Sequence, residues 1–494
     1  MQRVFRIAPS PTGYLHLGHA KLFLINYALA TNCGGKLIYR VEDTDFKRNK
    51  EEAVNVLLDE IEWFGVILDA GPSREGKNEY FQSQRLEIYQ KYVKQLLDEG
   101  KAYKAFETPE ERAKQIEEQR KSGQSPVYNG NHRNLTSDEI KQFEQEGRKP
   151  IIRLKVEKNQ DIEFEDGVLG KIIINSNTLG DIAIMKSDGT PMYNFCVAID
   201  DHLMGVTDIV RGKEHISNTP KQILVYKAFS WQPPKFAHWS VLLNENEPGK
   251  LSKRKGAKPI IQYRAEGYLP DAIFNYLMVT SFSFHFQNRD EEIMTRDEVI
   301  AKVSIDKILK TNAKFNAAKL DWFNGQHIRR MKREAFVENV FNWLKSEAGN
   351  ITQFDDNFDG ELIKVFLEKK DILMKALPLV QERIVKYKDI FEYLRFFFIR
   401  PNRDNLDVTA TKHELNEFEE VSQKLYSEIS TLGDTWTHES WEKAIRNLAD
   451  NVGWKHGDMF MALRLLISGS QFSPPLFEAM EILGKEECLK RISS

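Results

Sequence analysis

The start of the chain constrains its fold more than any other part. "RVFRIA" (residues 3–8) is short, apolar and β-prone, and "LFLINYALA" (residues 22–30) has helical spacing. Gly34 and Gly35 break that helix, and "KLIYRV" (residues 36–41) is strand-like again. Strand, loop, helix, strand is the opening of a parallel sheet, whose ligands sit beyond the carboxyl ends of the strands. Two stretches lie at those ends: "APSPTGYLHLGHAK" (residues 8–21), with two prolines, two glycines and two histidines, and "EDTD" (residues 42–45).

Two amphipathic helices are expected next. One carries Val54, Leu57, Leu58, Ile61 and Phe64 on its stripe; the other carries Leu86, Tyr89, Val93 and Leu96 and closes at Gly100. From about residue 101 to 190 the character changes. "ETPEERAKQIEEQRKSGQ" is a polar helix, with Thr108, Pro109 and Glu111 as its start signal and Gly123 as its stop. β-like runs follow at 151–156, 171–174 and 182–185, and "SDGT" (residues 187–190) makes a turn. This segment reads as an inserted α+β subdomain, and the parallel sheet is expected to resume near "GVTDIVRG" (residues 205–212). Beyond about residue 330, stretches such as "AFVENVFNWLKSE" are helical and strand signals are few, so a separate all-helical domain is expected. The division predicted is therefore 1–100 and 191–240 for the two halves of a Rossmann-type domain, 101–190 for the insert, 241–330 for a connecting region, and 331–494 for the helical domain.

With 494 residues, 41% hydrophobic and 29% charged, the chain can build sizeable cores in several domains. Three cysteines, Cys33, Cys196 and Cys488, at unrelated spacings exclude a disulfide framework and a clustered cysteine metal site. No apolar stretch reaches spanning length, and the opening segment carries charge, so a cytosolic protein without membrane contact is expected. A formal net charge of -3 gives no global attraction for nucleic acid. An RNA partner would have to meet local basic patches, and two stand out: "KLSKRKGAK" (Lys250, Lys253, Arg254, Lys255, Lys258) and "IRRMKRE" (Arg329, Arg330, Lys332, Arg333).

A glycine-rich loop at a strand end lets backbone N–H groups approach a phosphate, and the following helix N-terminus adds partial positive charge. His16 and His19 could donate hydrogen bonds to triphosphate oxygens, and Gly18 between them removes a Cβ that would obstruct a nucleotide ring. The plainer reading is a turn and a helix cap with surface histidines. The cationic loop "KLSKRKG" far downstream tips the balance, since lysines there can meet charge building on a departing phosphate. The two stretches resemble the HIGH and KMSKS signatures of class I aminoacyl-tRNA synthetases, here His16-Leu17-Gly18-His19 and Lys250-Leu251-Ser252-Lys253-Arg254.

"RIAPSPTGYLHLGHA", "YRVEDTD", "SDGTPMYNFCVAIDDHLMGVTDIVRGKEHISNTPKQ", "KLSKRKGA" and "GYLPDAIFNYL" together resemble the bacterial glutamyl-tRNA synthetases, in order and in spacing, and the likeness continues through "FNAAKLDWFNGQHIR" and the last thirty or so residues. Glutaminyl-tRNA synthetases are similar at the catalytic end, but Ser10-Pro11-Thr12-Gly13 and the helical C-terminal part favour the glutamyl family. The resemblance implies a Rossmann-type parallel-sheet catalytic domain with an inserted acceptor-binding subdomain, then all-α stem-contact and anticodon-binding domains. It implies ATP-dependent formation of glutamyl-adenylate, with Mg²⁺ accompanying ATP, and transfer to tRNA(Glu) by a monomeric enzyme. A form that also charges tRNA(Gln) and a glutaminyl enzyme are the alternatives within the superfamily. A nucleotidyltransferase of the same superfamily and a catalytically silent RNA-binding paralogue are the alternatives of other function classes.

Carried over position by position, the resemblance implies that His16, His19, Lys250 and Lys253 act in catalysis. It implies ATP contacts from Pro9, Thr12, Gly13, Gly18 and Ser252 as well as from those four. Glutamate contacts fall to Arg6, Ala8, Ser10, Glu42, Tyr193 and Arg211: Glu42 facing the substrate ammonium, and Arg211 facing the side-chain carboxylate with a planar fork able to reach both oxygens. Some relatives bind zinc in the inserted subdomain. The corresponding positions here are Ala105, Glu107, His132 and Asn134; Ala and Asn are unsuitable ligands, so no protein-bound zinc is expected and His132 is read as a surface residue.

Overall fold

The computed structural model describes residues 2–9, 14–44, 52–123, 125–245, 247–251, 257–432 and 437–493. They form two compact units, Met1–Ile260 with Phe274–Asn316, and Ile261–Ile273 with Ala317–Ser494.

The first unit runs β1 (Val4–Ile7), α1 (Leu17–Asn32), β2 (Lys36–Tyr39), α2 (Glu52–Trp63), α3 (Leu86–Asp98), β3 (Ala102–Ala105), α4 (Pro109–Lys121), α5 (Ser137–Gln145), β4 (Ile151–Leu154), β5 (Asp161–Asp166), β6 (Gly170–Asn175), β7 (Ala183–Met185), α6 (Tyr193–Leu203), β8 (Asp208–Gly212), α7 (Thr219–Ala228) and β9 (Lys235–Trp239). Six strands make one sheet in the order β2-β1-β8-β9-β5-β6. All its pairings are parallel except the β5–β6 hairpin. The inner strands are buried on both faces, as helix-covered parallel sheets require: every residue of β8 is buried, as are Phe5, Arg6 and Ile7 of β1. β1 leads through α1 to β2 on one side and pairs with β8 on the other. The strand order thus reverses between β1 and β8, the position at which such sheets open a ligand crevice.

The α1 unit forms as its sequence demands. His16 is the N-cap, in extended conformation, and its ring accepts a hydrogen bond from the Gly18 N–H. A Cβ on Gly18 would come within 2.9 Å of the His16 ring, so this glycine leaves room for the cap. Val54, Leu57, Ile61 and Phe64 are buried along α2, and Tyr89, Val93 and Leu96 along α3. Leu58 is only half-buried.

β3, β4 and β7 form a separate antiparallel sheet. Beside it, α4 and α5 each start with a capping box, Thr108 with Glu111 and Thr136 with Glu139. β5 and β6, which lie within the expected insert, belong instead to the edge of the main sheet: Asp166 pairs with Phe236 of β9, and Ile162 and Phe164 enter the same apolar cluster as Ile38, Ile209 and Phe236. His132 is not the surface residue expected. Its side chain is 16% exposed, it accepts a hydrogen bond from the Phe106 N–H at 3.0 Å, and it lies against Phe143. Of the other three positions, Ala105 is buried in β3 and Glu107 is paired with Arg153. Among the described residues no group of three or more His, Cys, Asp or Glu side chains is placed to hold a metal ion.

The second unit is helical; among the described residues from 317 to 494 there is no strand. Its core gathers Phe336, Trp343, Phe366, Phe391, Trp441 and Met459. Gly267, at φ +79°, brings its backbone against Tyr387, whose N–H bonds the Gly267 carbonyl at 3.2 Å. Arg329 and Arg330 close the helix Ala317–Arg330, and Lys332 caps the next, Arg333–Ser346. No helix among the described residues is long and apolar enough to cross a membrane.

Candidate active site

A cavity of about 850 Å³ opens at the carboxyl ends of β1, β2, β8 and β9. Ten of the expected site residues line it: Arg6, Ala8, Pro9, His16, Gly18, His19, Glu42, Tyr193, Arg211 and Lys250. The other five, Ser10, Thr12, Gly13, Ser252 and Lys253, lie outside the described residues.

On one wall, the His16 and His19 rings stack with centroids 3.9 Å apart. His16 Nδ1 accepts from Gly18 at 3.1 Å, so the neutral ring carries its proton on Nε2. The α1 N-terminus stands behind them, and an anion bound there would meet the positive end of the helix dipole. The segment bearing Lys250 folds back as a short hairpin: Leu251 N–H bonds the Leu242 carbonyl at 2.8 Å, and Asn244 N–H bonds that of Gly249 at 3.0 Å. Lys250 is itself exposed, 3.6 Å from Glu214.

The opposite wall is built on buried charge. Arg6 is 4% exposed and grips Asp201 with Nε at 3.2 Å and Nη2 at 3.4 Å. Arg40 is wholly buried: Nη1 donates to Asp201 at 2.6 Å, Nη2 to Glu42 at 3.1 Å, and Nε is 3.7 Å from Asp200. Asp200 in turn accepts from Gln82, Arg85 and Tyr89 at 2.7–2.9 Å. Isolated, each of these charges would be costly to bury; paired and hydrogen-bonded, they form a rigid frame. Burial pushes the Glu42 carboxyl above its ordinary range despite the pull of Arg40 and Arg6. An added ammonium would relieve that strain on its charge. For Asp201 the balance falls the other way, since Arg40 and Arg6 outweigh the effect of burial and hold its carboxyl low.

Arg211 faces this frame from β8. Its Nε donates to His238 Nε2 at 3.1 Å, and Nη2 donates to Thr219 at 2.7 Å and Gln222 at 3.0 Å. Nη1 is buried and, among the described residues, has no hydrogen-bond partner. The whole fork is therefore not open, as the sequence had suggested: Nε and Nη2 are spent on the protein, and the two N–H bonds of Nη1 remain. Burial, with Arg6 adding repulsion, pulls the Arg211 pKa down to about 10, which leaves it charged at neutral pH. A buried cation with no carboxylate in contact is costly unless an anion arrives.

Sequence reasoning missed several cavity residues. Lys21 is 2% exposed and donates to the Ser240 carbonyl at 2.9 Å; burial lowers its pKa to about 8. His215 lies 3.5 Å from the Tyr193 hydroxyl, and burial, then Arg211, pulls its pKa down to about 4, so the ring is neutral. Arg40, Asp200 and Asp201 stand behind the wall. The available signal was "AIDDHL", two aspartates inside an otherwise apolar run, a pattern that calls for buried partners.

Comparison with known proteins agrees with this geometry. Residues 3–322 match the family model of the catalytic domain of class I tRNA synthetases (E and Q), and residues 335–494 match an anticodon binding domain. The glutamate–tRNA ligase of Bacillus subtilis is 37% identical over 492 residues, covering 99% of this chain and 98% of that one. The Bacillus cytotoxicus ligase is 38% identical over 493 residues with the same coverage. The crystal structure of a glutamate tRNA ligase from Elizabethkingia meningosepticum, in complex with its amino acid, superposes with a TM-score of 0.84 at 32% identity, covering 100% of this chain and 99% of that chain. With the parallel sheet, the crevice at its reversal point and the helical second unit, these matches show that the chain belongs to the glutamyl-tRNA synthetase family, the ATP-using class I aminoacyl-tRNA ligases.

Proposed function

We propose that this enzyme activates L-glutamate with ATP and passes it to the 3′-terminal adenosine of tRNA(Glu). The observation that carries the substrate reading is Arg211, a buried cation whose Nη1 has no partner among the described residues, lining the same cavity as the Glu42 carboxylate. A ligand with an anionic end and an ammonium end complements that pair. Glutamate places its side-chain carboxylate on Arg211 and its ammonium on Glu42, with Arg6, Ala8, Ser10 and Tyr193 shaping the space between.

In this reading the free α-carboxylate attacks the α-phosphate of ATP, and the bond to the β-phosphate breaks as pyrophosphate leaves. The ribose 2′-hydroxyl of the tRNA end then attacks the adenylate carbonyl, giving the ester and AMP. No protein nucleophile takes part; orientation and stabilisation of phosphate charge do the catalysis. His16, His19 and the α1 N-terminus hold phosphate oxygens, Pro9, Thr12, Gly13, Gly18 and Ser252 shape the nucleotide site, and Lys250 and Lys253 meet the departing pyrophosphate. Mg²⁺ would accompany ATP and offset the charge of its phosphates. The segment 101–190 would meet the acceptor stem, 241–330 the stem beyond it, and 331–494 the anticodon. A monomeric, cytosolic enzyme completes the reading.

The test is a charging assay with ATP, Mg²⁺, glutamate and purified tRNA(Glu) or tRNA(Gln). An alkali-labile glutamyl ester on tRNA(Glu) is expected. Ester on both tRNAs identifies a non-discriminating form, and incorporation of glutamine in place of glutamate contradicts the proposal.

A further inference from the structure

Arg211 does not choose its own direction. It sits on β8 directly opposite His238 of β9, and Asp166 closes β5, the next strand of the sheet. His238 and Asp166 are fully buried, and neither lines the cavity. Because a guanidinium has only donors, the Nε2 atom of His238 that meets Arg211 Nε must offer a lone pair. The single proton of the neutral ring then sits on Nδ1, which lies 2.5 Å from Asp166 Oδ2. Burial, with Arg211 nearby, keeps the ring below its ordinary pKa and so neutral, against the pull of Asp166. The Asp166 carboxylate is locked in turn, its Oδ1 accepting from Val168, Leu169 and His238 backbone N–H groups at 2.9–3.2 Å.

We infer that Asp166 and His238 are positioning residues that orient Arg211 through a defined imidazole tautomer, and that selection of an anionic over an amide side chain depends on them. The inference rests on the reading of Arg211 as the contact for the substrate carboxylate. The imidazole is what makes the arrangement useful. A carboxylate touching Arg211 directly would orient it but would also neutralise it, leaving no charge for a ligand. With a neutral ring between them, Asp166 controls orientation while the acceptors touching Arg211 among the described residues are an imidazole nitrogen, a hydroxyl, an amide oxygen and the His215 carbonyl, all uncharged. Among the described residues Nη1 is thereby left as a charged donor with no hydrogen-bond partner, on a residue that lines the cavity.

Asp166→Asn tests this nearly isosterically. The amide oxygen can keep the backbone N–H groups, which turns its NH₂ toward His238 Nδ1. The ring must then carry its proton on Nε2, donor against the Arg211 donor. The expected result is a rise in KM for glutamate on the order of 10- to 100-fold, with KM for ATP little changed and the glutamate-to-glutamine kcat/KM ratio reduced. His238→Asn, which keeps a group toward Asp166 and removes the acceptor for Arg211, should do the same and serves if Asp166→Asn fails to fold. Either substitution is then combined with Arg211→Gln. If the pair acts only through Arg211, adding it to Arg211→Gln causes no further loss of the ratio. A variant that alters KM for glutamate and for ATP equally, or that still lowers the ratio in the Arg211→Gln background, overturns the inference. If Arg211→Gln alone leaves the ratio unchanged, the underlying reading of Arg211 fails instead.

Discussion

Asp201→Asn attacks the frame behind the substrate wall. Three buried cations, Arg6, Arg40 and Arg85, are matched there by three carboxylates, Glu42, Asp200 and Asp201. Asparagine keeps the volume but removes one negative charge, and its NH₂ group turns a donor toward guanidiniums that are themselves only donors. Asp201 holds two of the cations, Arg40 at 2.6 Å and Arg6 at 3.2 Å. At an effective dielectric of about 20, contacts of this kind are worth roughly 4 kcal/mol each before desolvation. Breaking a buried pair by removing one partner typically costs about 3–5 kcal/mol, and that is the expected loss of stability for the first unit. An exposed pair provides the control: Asp59→Asn removes a contact to Arg74 in which both side chains are about half exposed, and should cost about 0–1 kcal/mol. Denaturant titration of both variants measures the difference. Steady-state kinetics on folded Asp201→Asn at low temperature should show a higher KM for glutamate, because Arg6 has lost its clamp, with little change in KM for ATP. If Asp201→Asn costs no more than Asp59→Asn and leaves KM for glutamate unchanged, the frame does not hold the site and the reasoning fails.

Other perturbations have equally definite outcomes. Lys253→Ala should slow adenylate formation by roughly 10²-fold or more, the usual effect of losing one preorganised charge donor, while tRNA affinity barely moves; equal losses in both would make Lys253 an RNA contact. His327 is half-buried in the second unit, where desolvation pulls its pKa down to about 4, below the roughly 6.5 of an unfolded histidine. The unfolded chain therefore binds the proton first as pH falls from 7 to 4, and stability drops with it. Between pH 7 and 5 this histidine should account for about 2 kcal/mol of lost stability, absent in His327→Gln; equal acid sensitivity in both proteins would exclude it as the cause. Gly267→Ala should cost on the order of 3 kcal/mol in the second unit, since a Cβ at φ +79° would meet the Cβ of Tyr387 at 2.3 Å. A change below about 0.5 kcal/mol, read by urea denaturation, would contradict that contact.

The parts of the molecule legible in the sequence are those governed by local rules. The β1–α1–β2 unit, the Thr108 capping box and the stripes of α2 and α3 all follow from spacing and caps within a few residues. Most of the expected cavity residues could be named because a family resemblance, carried by compact motifs around His16, Glu42 and Lys250, implies them. What stayed hidden was set by pairing across the chain. The 161–175 hairpin alternates as a half-buried ribbon would, and nothing local says that it joins β9 about 70 residues later rather than the neighbouring β4. Two of the carboxylates around Arg40, Asp200 and Asp201, lie some 160 residues away on α6, and Asp166 reaches His238 across 72. Such buried ionic contacts leave only the faint trace of charge inside an apolar run. The occupied fork of Arg211 could not be read at all, because its acceptors come from Thr219 and Gln222 on α7 and from β9.

The central claim is that the one free end of the Arg211 guanidinium reads the substrate's side-chain carboxylate. Its most direct test is kcat/KM for glutamate and for glutamine, measured on the wild-type enzyme and on Arg211→Gln, with melting temperatures from the same preparations. Losing a buried charge pair costs on the order of 2–5 kcal/mol, so kcat/KM for glutamate should fall by roughly 10² or more while that for glutamine changes little, and the preference should collapse. A lower melting temperature with an unchanged glutamate-to-glutamine ratio would mean that Arg211 serves only the fold, and would contradict the account.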